Sequence, residues 1–357
     1  MGDNEKHEVN SNSREESTVV DLVAQLESKS IQYAIARNYE DYPSFGHDLD
    51  LFVHHIDTAQ ITEISIKLAC VHGWDYVTCC NWDIWFHKKH SVKQIRFYKL
   101  TDFTYLQVDL IHLFPLYGLA LMGESEILID REKDLDGKFY KISKSKENLI
   151  RVFQIFSLLG NNANSAKVAR YSKRLIDYVL GNGSGGLLKE GEKLGVGSAF
   201  LQVVNLYNSG DLKKFKNRML IIKLKLLMIK VLKEPFLSIT LIVKRIAFYI
   251  GTFFVPIQGC HICIYLGDIH KSVVFSALKT LKEKDYITNW LVRDSNAPYF
   301  NKKEHKIMVI GGVLIQWLDK PKKSCVDLCK VVEDEEVLDI LKYNIIFRHS
   351  VIYNKNE

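Results

Sequence analysis

At 357 residues, with 47% apolar and 25% charged residues, the chain exceeds one ordinary core and suits two folded units, which excludes a small disulfide-held module and a largely disordered polymer. The 48 Lys and Arg against 42 Asp and Glu give +6, compatible with a nucleotide or other polyanion but no strong case for nucleic acid. Seven scattered cysteines, an odd number, exclude a disulfide framework.

In chain order, Met1 to Glu16 is polar and lacks an apolar run, so a disordered lead-in over 1–16 is expected, with neither signal nor transit peptide. A cytoplasmic location follows. Val19, Leu22, Val23 and Leu26 space a helix over 18–29, with Ser17 or Thr18 as N-cap. A short strand from Ile31 to Ala36 and a loop from Arg37 to Pro43 come next. Residues 46–54, Gly-His-Asp-Leu-Asp-Leu-Phe-Val-His, then place Asp48 and Asp50 on one face of a strand and Leu49, Leu51 and Val53 on the other. Two carboxylates so close repel unless a cation lies between them, and Mg²⁺ held by acids and substrate phosphates is the usual resolution. The plain alternative is a solvent-facing strand edge.

A helix over 57–72, capped by Asp57 and stopped at Gly73, precedes aromatic-rich strands at 74–87 and 92–100 turned at 88–91. The strand Leu106 to Ile111 puts Asp109 among apolar neighbours, costly unless paired or bound to a cation. Asp48, Asp50 and Asp109 together fit a site for one or two Mg²⁺ ions.

From these residues, about 18–130 resembles the nucleotidyltransferase fold shared by DNA polymerase beta and aminoglycoside nucleotidyltransferases. Arg37-Asn38-Tyr39-Glu40 and Asp48-Leu49-Asp50-Leu51-Phe52-Val53 resemble more closely a bacterial branch that accompanies surface-polysaccharide genes. The resemblance implies a catalytic and metal-binding triad of Asp48, Asp50 and Asp109, with Mg²⁺ as cofactor and a nucleoside triphosphate as substrate. It implies transfer of a nucleoside monophosphate to an unidentified hydroxyl acceptor with release of pyrophosphate, or else an inactive nucleotide-binding or scaffolding protein. The family's Gly-Ser is absent; Ile35-Ala36-Arg37-Asn38 stands there, nine residues lie between Asn38 and Asp48, and Gly46 precedes the acid pair. Arg37 and Asn38 are then the nucleotide-binding candidates with Gly46, Arg37 either gripping phosphate bidentately or pairing with Glu40 or Asp41 on the surface. His87, Lys93 and Arg96 are further phosphate candidates, or a solvated basic face.

From Ser145 the pattern turns helical to residue 257, interrupted at Gly181 to Gly186 by an expected flexible loop. Residues 219–257 are apolar with interspersed Lys and Arg; they form either helices packed on the first unit or a basic amphipathic surface on a membrane. Cys260-His261-Ile262-Cys263, with Cys325 and Cys329, has zinc-like spacing, but a strand turns positions i and i+3 to opposite faces, so buried thiols are the expectation. Gly259–Gly267, then Lys271-Ser272 and a helix, resemble the opening of a thymidylate-kinase-like domain with a P-loop too short to cradle phosphate. Lys271 and Ser272 remain nucleotide-binding candidates at a helix start. The expected fold is α+β: a mixed sheet with flanking helices over 17–130, helices over 145–257, and a small α/β unit over 258–357, either P-loop-like or ferredoxin-like.

Overall fold

In a computed structural model, the structure describes residues 3–37, 39–45, 48–82, 92–101, 104–116, 119–160, 165–251, 260–265, 270–283, 289–293, 299–309, 313–317, 326–327, 334–346 and 350–354. The fold is α+β. Alternating side chains build its main sheet from β1 (Tyr33–Ile35), β2 (Asp48–Val53), β3 (Tyr76–Trp82), β4 (Val92–Lys99) and β5 (Thr104–Ile111). Beyond a separate β6 (Leu113–Leu116) and β7 (Leu119–Gly123) hairpin, β8 (Glu132–Lys133) and β9 (Tyr140–Lys141) extend one edge. The opposite edge is closed by the last strand of the chain, Ser350–Asn354, which pairs antiparallel with β3.

One face carries Tyr33, Ile35, Leu49, Leu51, Val53, Ile95, Phe97, Leu106, Val108 and Leu110, and packs under helices α1 (Asp3–Ser28) and α2 (Thr58–Val71). Period-2 alternation sends Ala34 and Phe52 to the other face, into a second core built by the helical middle. The sheet is therefore covered on both sides. The acids share the second face, because they occupy the odd phase of β5 and the even phase of β2.

Helix α1 starts at Asp3, so the backbone of the expected disordered lead-in is helical, and the proposed cap at Ser17 or Thr18 is instead mid-helix. Thr18 is buried there; its hydroxyl donates to the Arg14 carbonyl at 2.8 Å and accepts from Trp74 Nε1 at 3.0 Å. Helix α2 begins after Asp57 without a side-chain cap and ends before Gly73, whose φ of +68° suits glycine.

His112, just past β5, is buried with Nδ1 3.1 Å from the Val53 carbonyl and Nε2 3.3 Å from the Thr58 hydroxyl. The carbonyl requires the proton on Nδ1. Burial pushes its pKa below the ordinary value, so the unfolded chain takes up this proton first on acidification. Stability from this group is complete above the unfolded value, pH ~6.5, and is lost as pH falls through the lower folded value. A plot of melting temperature against pH should fall less steeply on the acid side for His112→Asn than for the unaltered chain; parallel curves would rule His112 out.

The helical middle follows a short α3 (Glu124–Leu128) and consists of α4 (Lys144–Gly160), α5 (Ser165–Tyr178), α6 (Ser184–Lys193), α7 (Ala199–Asn208), α8 (Leu212–Lys233) and α9 (Pro235–Gly251). The expected flexible loop at Gly181–Gly186 is a π-turn over Val179–Gly183 running into α6. Close approach explains two of its four glycines. A Cβ on Gly183 would lie 2.5 Å from the Tyr178 carbonyl oxygen, and one on Gly186 2.3 Å from the Tyr178 hydroxyl.

The C-terminal unit contains β10 (Cys260–Tyr265), α10 (Lys271–Glu283), β11 (Trp290–Val292), α11 (Lys302–Val309), β12 (Val313–Trp317), β13 (Val326–Asp327) and α12 (Asp334–Ile346). Its four strands are all parallel, in the order β11-β12-β10-β13, which corrects the ferredoxin-like alternative, since that fold is antiparallel. β12 is confined to Val313–Trp317, because α11 takes Lys302–Val309. Domain boundaries also change: the first sheet recruits β8 and β9 beyond residue 130 and β14 (Ser350–Asn354) from the far end of the chain. Tyr76 and Tyr98 of the first sheet join Val337, Leu341 and Ile345 of α12 in one shared core. Among the described residues no helix is long and apolar enough to cross a membrane.

Candidate functional site

Parallel pairing of β2 with β5 sets Asp50 directly beside Asp109, with Asp48 beside Gln107. Ligand oxygens of Asp48, Asp50 and Asp109 lie within 4.8 Å of one another, and this is the acidic cluster of metal-binding type among the described residues. Asp50 is only 5% exposed, whereas Asp48 is at the open end. The expected triad is thus brought together by register rather than by a loop. The hypothesis of a solvent-facing strand edge fails on Asp50.

Arg37, immediately beyond β1, sits on the acids. Its Nε donates to Asp50, Nη2 to Asp48 Oδ2 at 3.2 Å, and Nη1 to the Tyr171 hydroxyl at 3.2 Å. Neither expected arrangement of Arg37 is the one observed: its guanidinium neutralises the acid pair. Burial opposes its charge, but the Asp50 carboxylate outweighs that cost and holds its pKa above the ordinary value. Glu40, the partner considered for Arg37, faces Lys144 at 3.3 Å and Arg174 at 3.4 Å instead.

Across the same face, Gln107 Nε2 donates to Asp48 Oδ1 at 3.2 Å and to Asp109 Oδ1 at 3.1 Å. Arg96 Nε donates to Gln107 Oε1 at 2.8 Å, which orients that amide. Arg96 is therefore a support for the acid row. Lys93 points away, its Nζ 2.8 Å from the Thr62 hydroxyl of α2, which removes it from the cleft. Burial, then Asp50 and Asp48, push the Asp109 pKa well above the usual carboxylate range. Asp109 is the acid most in need of a cation.

The face opens into a cavity of about 270 Å³ between the sheet and helices α4 and α5. Arg37, Asp50 and Asp109 form one wall; Glu147, Arg151, Tyr171 and Arg174 form another; Phe52, Ile111, Leu113, Phe114 and Ile150 supply apolar surface. The helical residues were missed in the sequence. Their signal was a Glu-Arg pair four residues apart, Glu147 and Arg151, inside the apolar run Leu149, Ile150, Val152 and Phe153. Both are buried and ion-paired, and the Tyr39 hydroxyl donates to Glu147.

Comparison with protein-family models, curated proteins and solved structures gives no match. What the cleft is able to do follows from its own chemistry.

The remaining candidates lie elsewhere. Asn38, Gly46 and His87 fall outside the described residues, as do the turn at 88–91 and residues 266–269 of the shortened P-loop. Lys271 and Ser272 are exposed at the start of α10, on the second sheet, with Lys271 Nζ 5.2 Å from the Trp317 ring centre. They take no part in lining the cavity. Cys263 is half-buried in β10, its thiol 3.8 Å from Gln316 Oε1, and His261 Nε2 lies 3.1 Å from the same oxygen.

Proposed function

We propose that the cleft is a Mg²⁺-dependent nucleotidyltransfer site, which uses a nucleoside triphosphate and passes its nucleoside monophosphate to a hydroxyl acceptor. The observation that carries this is the convergence of three carboxylates, of which Asp50 and Asp109 line a cavity whose opposite wall bears Arg151 and Arg174. The donor set fits the ion: all three groups offer hard oxygens, and 4.8 Å exceeds only slightly the ~4.2 Å that separates opposite oxygens around Mg²⁺. Small carboxylate rotations close that difference once Arg37 withdraws.

Asp48, Asp50 and Asp109 would hold the cation, which when bound neutralises triphosphate charge and acidifies the acceptor hydroxyl. Asp109, set beside Asp50 by the parallel pairing of β2 and β5, is the group placed to take the hydroxyl proton. Arg37, once released from Asp48 and Asp50, is able to bind phosphate oxygens bidentately, with Arg151 and Arg174 behind it. In-line attack at the α-phosphorus forms the new P–O bond and expels pyrophosphate, with positioning as the main source of rate.

A second reading is favoured by the Arg37 bonds to both acids: a permanent internal counter-ion that leaves a binding or scaffolding protein with no metal site. Titration calorimetry with Mg²⁺ or Mn²⁺ and each nucleoside triphosphate separates the two. Metal-dependent nucleotide binding that falls at least ~100-fold in Asp48→Asn with Asp50→Asn supports transfer, as would release of pyrophosphate. Absence of metal-dependent binding in the unaltered chain would leave only the scaffolding role.

A further inference from the structure

Helix α8 buries Phe215, Met219, Ile222 and Leu226 against the helical core, a stripe at i, i+4, i+7 and i+11. Its opposite side is also apolar: Leu220, Leu224, Met228 and Leu232 are exposed at every fourth position. Helix α9 carries an exposed apolar stripe of its own, with Phe236, Ile239, Val243, Ile246 and Ile250 at three- and four-residue spacing. Leu232 (77% exposed) and Phe236 (87%) flank the junction at Glu234-Pro235. A second apolar stripe on a helix that has already buried its first is not explained by the core of this protein.

The charge of the same segment is one-sided. Residues 212–251 contain ten Lys and Arg and a single acid, Glu234, whereas the other 317 residues carry 38 Lys and Arg and 41 Asp and Glu. The chain's positive charge is thus concentrated here, and the remainder is slightly acidic. Lys213, Lys214, Lys216, Arg218, Lys225 and Lys233 are exposed on α8. Neither α8 nor α9 is able to span a bilayer.

We propose that the α8–α9 segment is a docking surface for an anionic lipid bilayer, on which it lies in the headgroup layer with the Leu232–Phe236 junction inserted. Exposed apolar side chains and a dense cationic fringe on one element are what that interface rewards, the side chains entering the acyl boundary and lysines reaching to phosphate and carboxylate headgroups. Nucleic acid would use the cations and leave the apolar stripe in water. A second copy would bring two strongly positive surfaces together. The bilayer satisfies both features at once, and the proposal is independent of the acidic cleft.

The test is co-sedimentation of the full chain with vesicles of phosphatidylcholine alone and of phosphatidylcholine with phosphatidylserine. Binding is expected to the anionic vesicles, weakening as salt is raised. Two double variants divide the contributions: Leu232→Ser with Phe236→Ser, and Lys225→Glu with Lys233→Glu. All four side chains are exposed, so circular dichroism melts should be unchanged, while each variant loses at least ~10-fold in vesicle affinity. The idea is overturned if the unaltered chain ignores anionic vesicles or if both variants bind them undiminished. It is equally overturned if the chain captures duplex oligonucleotide and not vesicles, or if the serine pair merely converts a dimer to a monomer in sedimentation velocity.

Discussion

Glu147→Ala is expected to destabilise the protein by about 3–5 kcal/mol, because it strands the Arg151 guanidinium in the interior. Glu147 is 2% exposed and Arg151 3%, so neither charge is able to recover water by turning outward. The pair as a whole stabilises far less than its single deletion suggests, since both ions lost their hydration to be there. Glu147→Leu with Arg151→Met should therefore lie within ~2 kcal/mol of the unaltered protein. The residual cost has a visible source: Arg151 Nη1 donates to the fully buried Asn148 Oδ1 at 3.1 Å, which the double variant leaves unpaired. The Tyr39 hydroxyl keeps the Lys144 ammonium at 2.8 Å. Urea unfolding of both variants measures the difference, and equal losses would mean that the charges contribute as separate contacts. Because Arg151 lines the cavity, a stable double variant with weakened triphosphate binding would further distinguish phosphate contact from support.

Arg37→Gln is expected to move two affinities in opposite directions. The guanidinium makes charge-assisted hydrogen bonds to Asp48 and Asp50, each a contribution of ~1.5–3 kcal/mol that an entering cation has to replace. Without it, Mn²⁺ alone should bind ~10- to 100-fold more tightly, since the acids no longer have a counter-ion of their own. Triphosphate affinity in the presence of the metal should fall by a similar factor if the displaced guanidinium serves the phosphates. Calorimetry with metal alone and then with nucleotide reads both numbers from one sample. An unchanged Mn²⁺ affinity would show that Arg37 does not compete for the acids.

The acids were legible in the sequence because strand alternation is a rule of two: Asp48 and Asp50 had to share a face, and Asp109 had to be compensated. Their register was not, since the parallel pairing that sets Asp50 beside Asp109 depends on how β2 and β5 slide past each other. Arg37 is legible as a residue of the site, but its pairing with Asp50 is not. The choice between Glu40 three positions away and Asp50 thirteen positions away is made by tertiary geometry. The glycines of 181–186 read as flexibility because composition does not reveal that Tyr178 lies against two of them. The shared outline of helices and strands survived almost everywhere, while the domain boundaries did not. A boundary inferred from changes in pattern has no access to a strand that returns to the first sheet from residue 350.

That returning strand has a consequence in time. The free side of β3 is available once Trp82 has left the ribosome, yet the segment that covers it begins at Ser350, about 270 residues later. At ~5–20 residues per second the first sheet carries an uncovered edge for roughly 15–50 s of synthesis. Any other nascent or exposed strand that meets it in that interval competes with the native one. Shortening the chain at its far end would make the interval permanent, turning a remote deletion into an aggregation-prone N-terminal half.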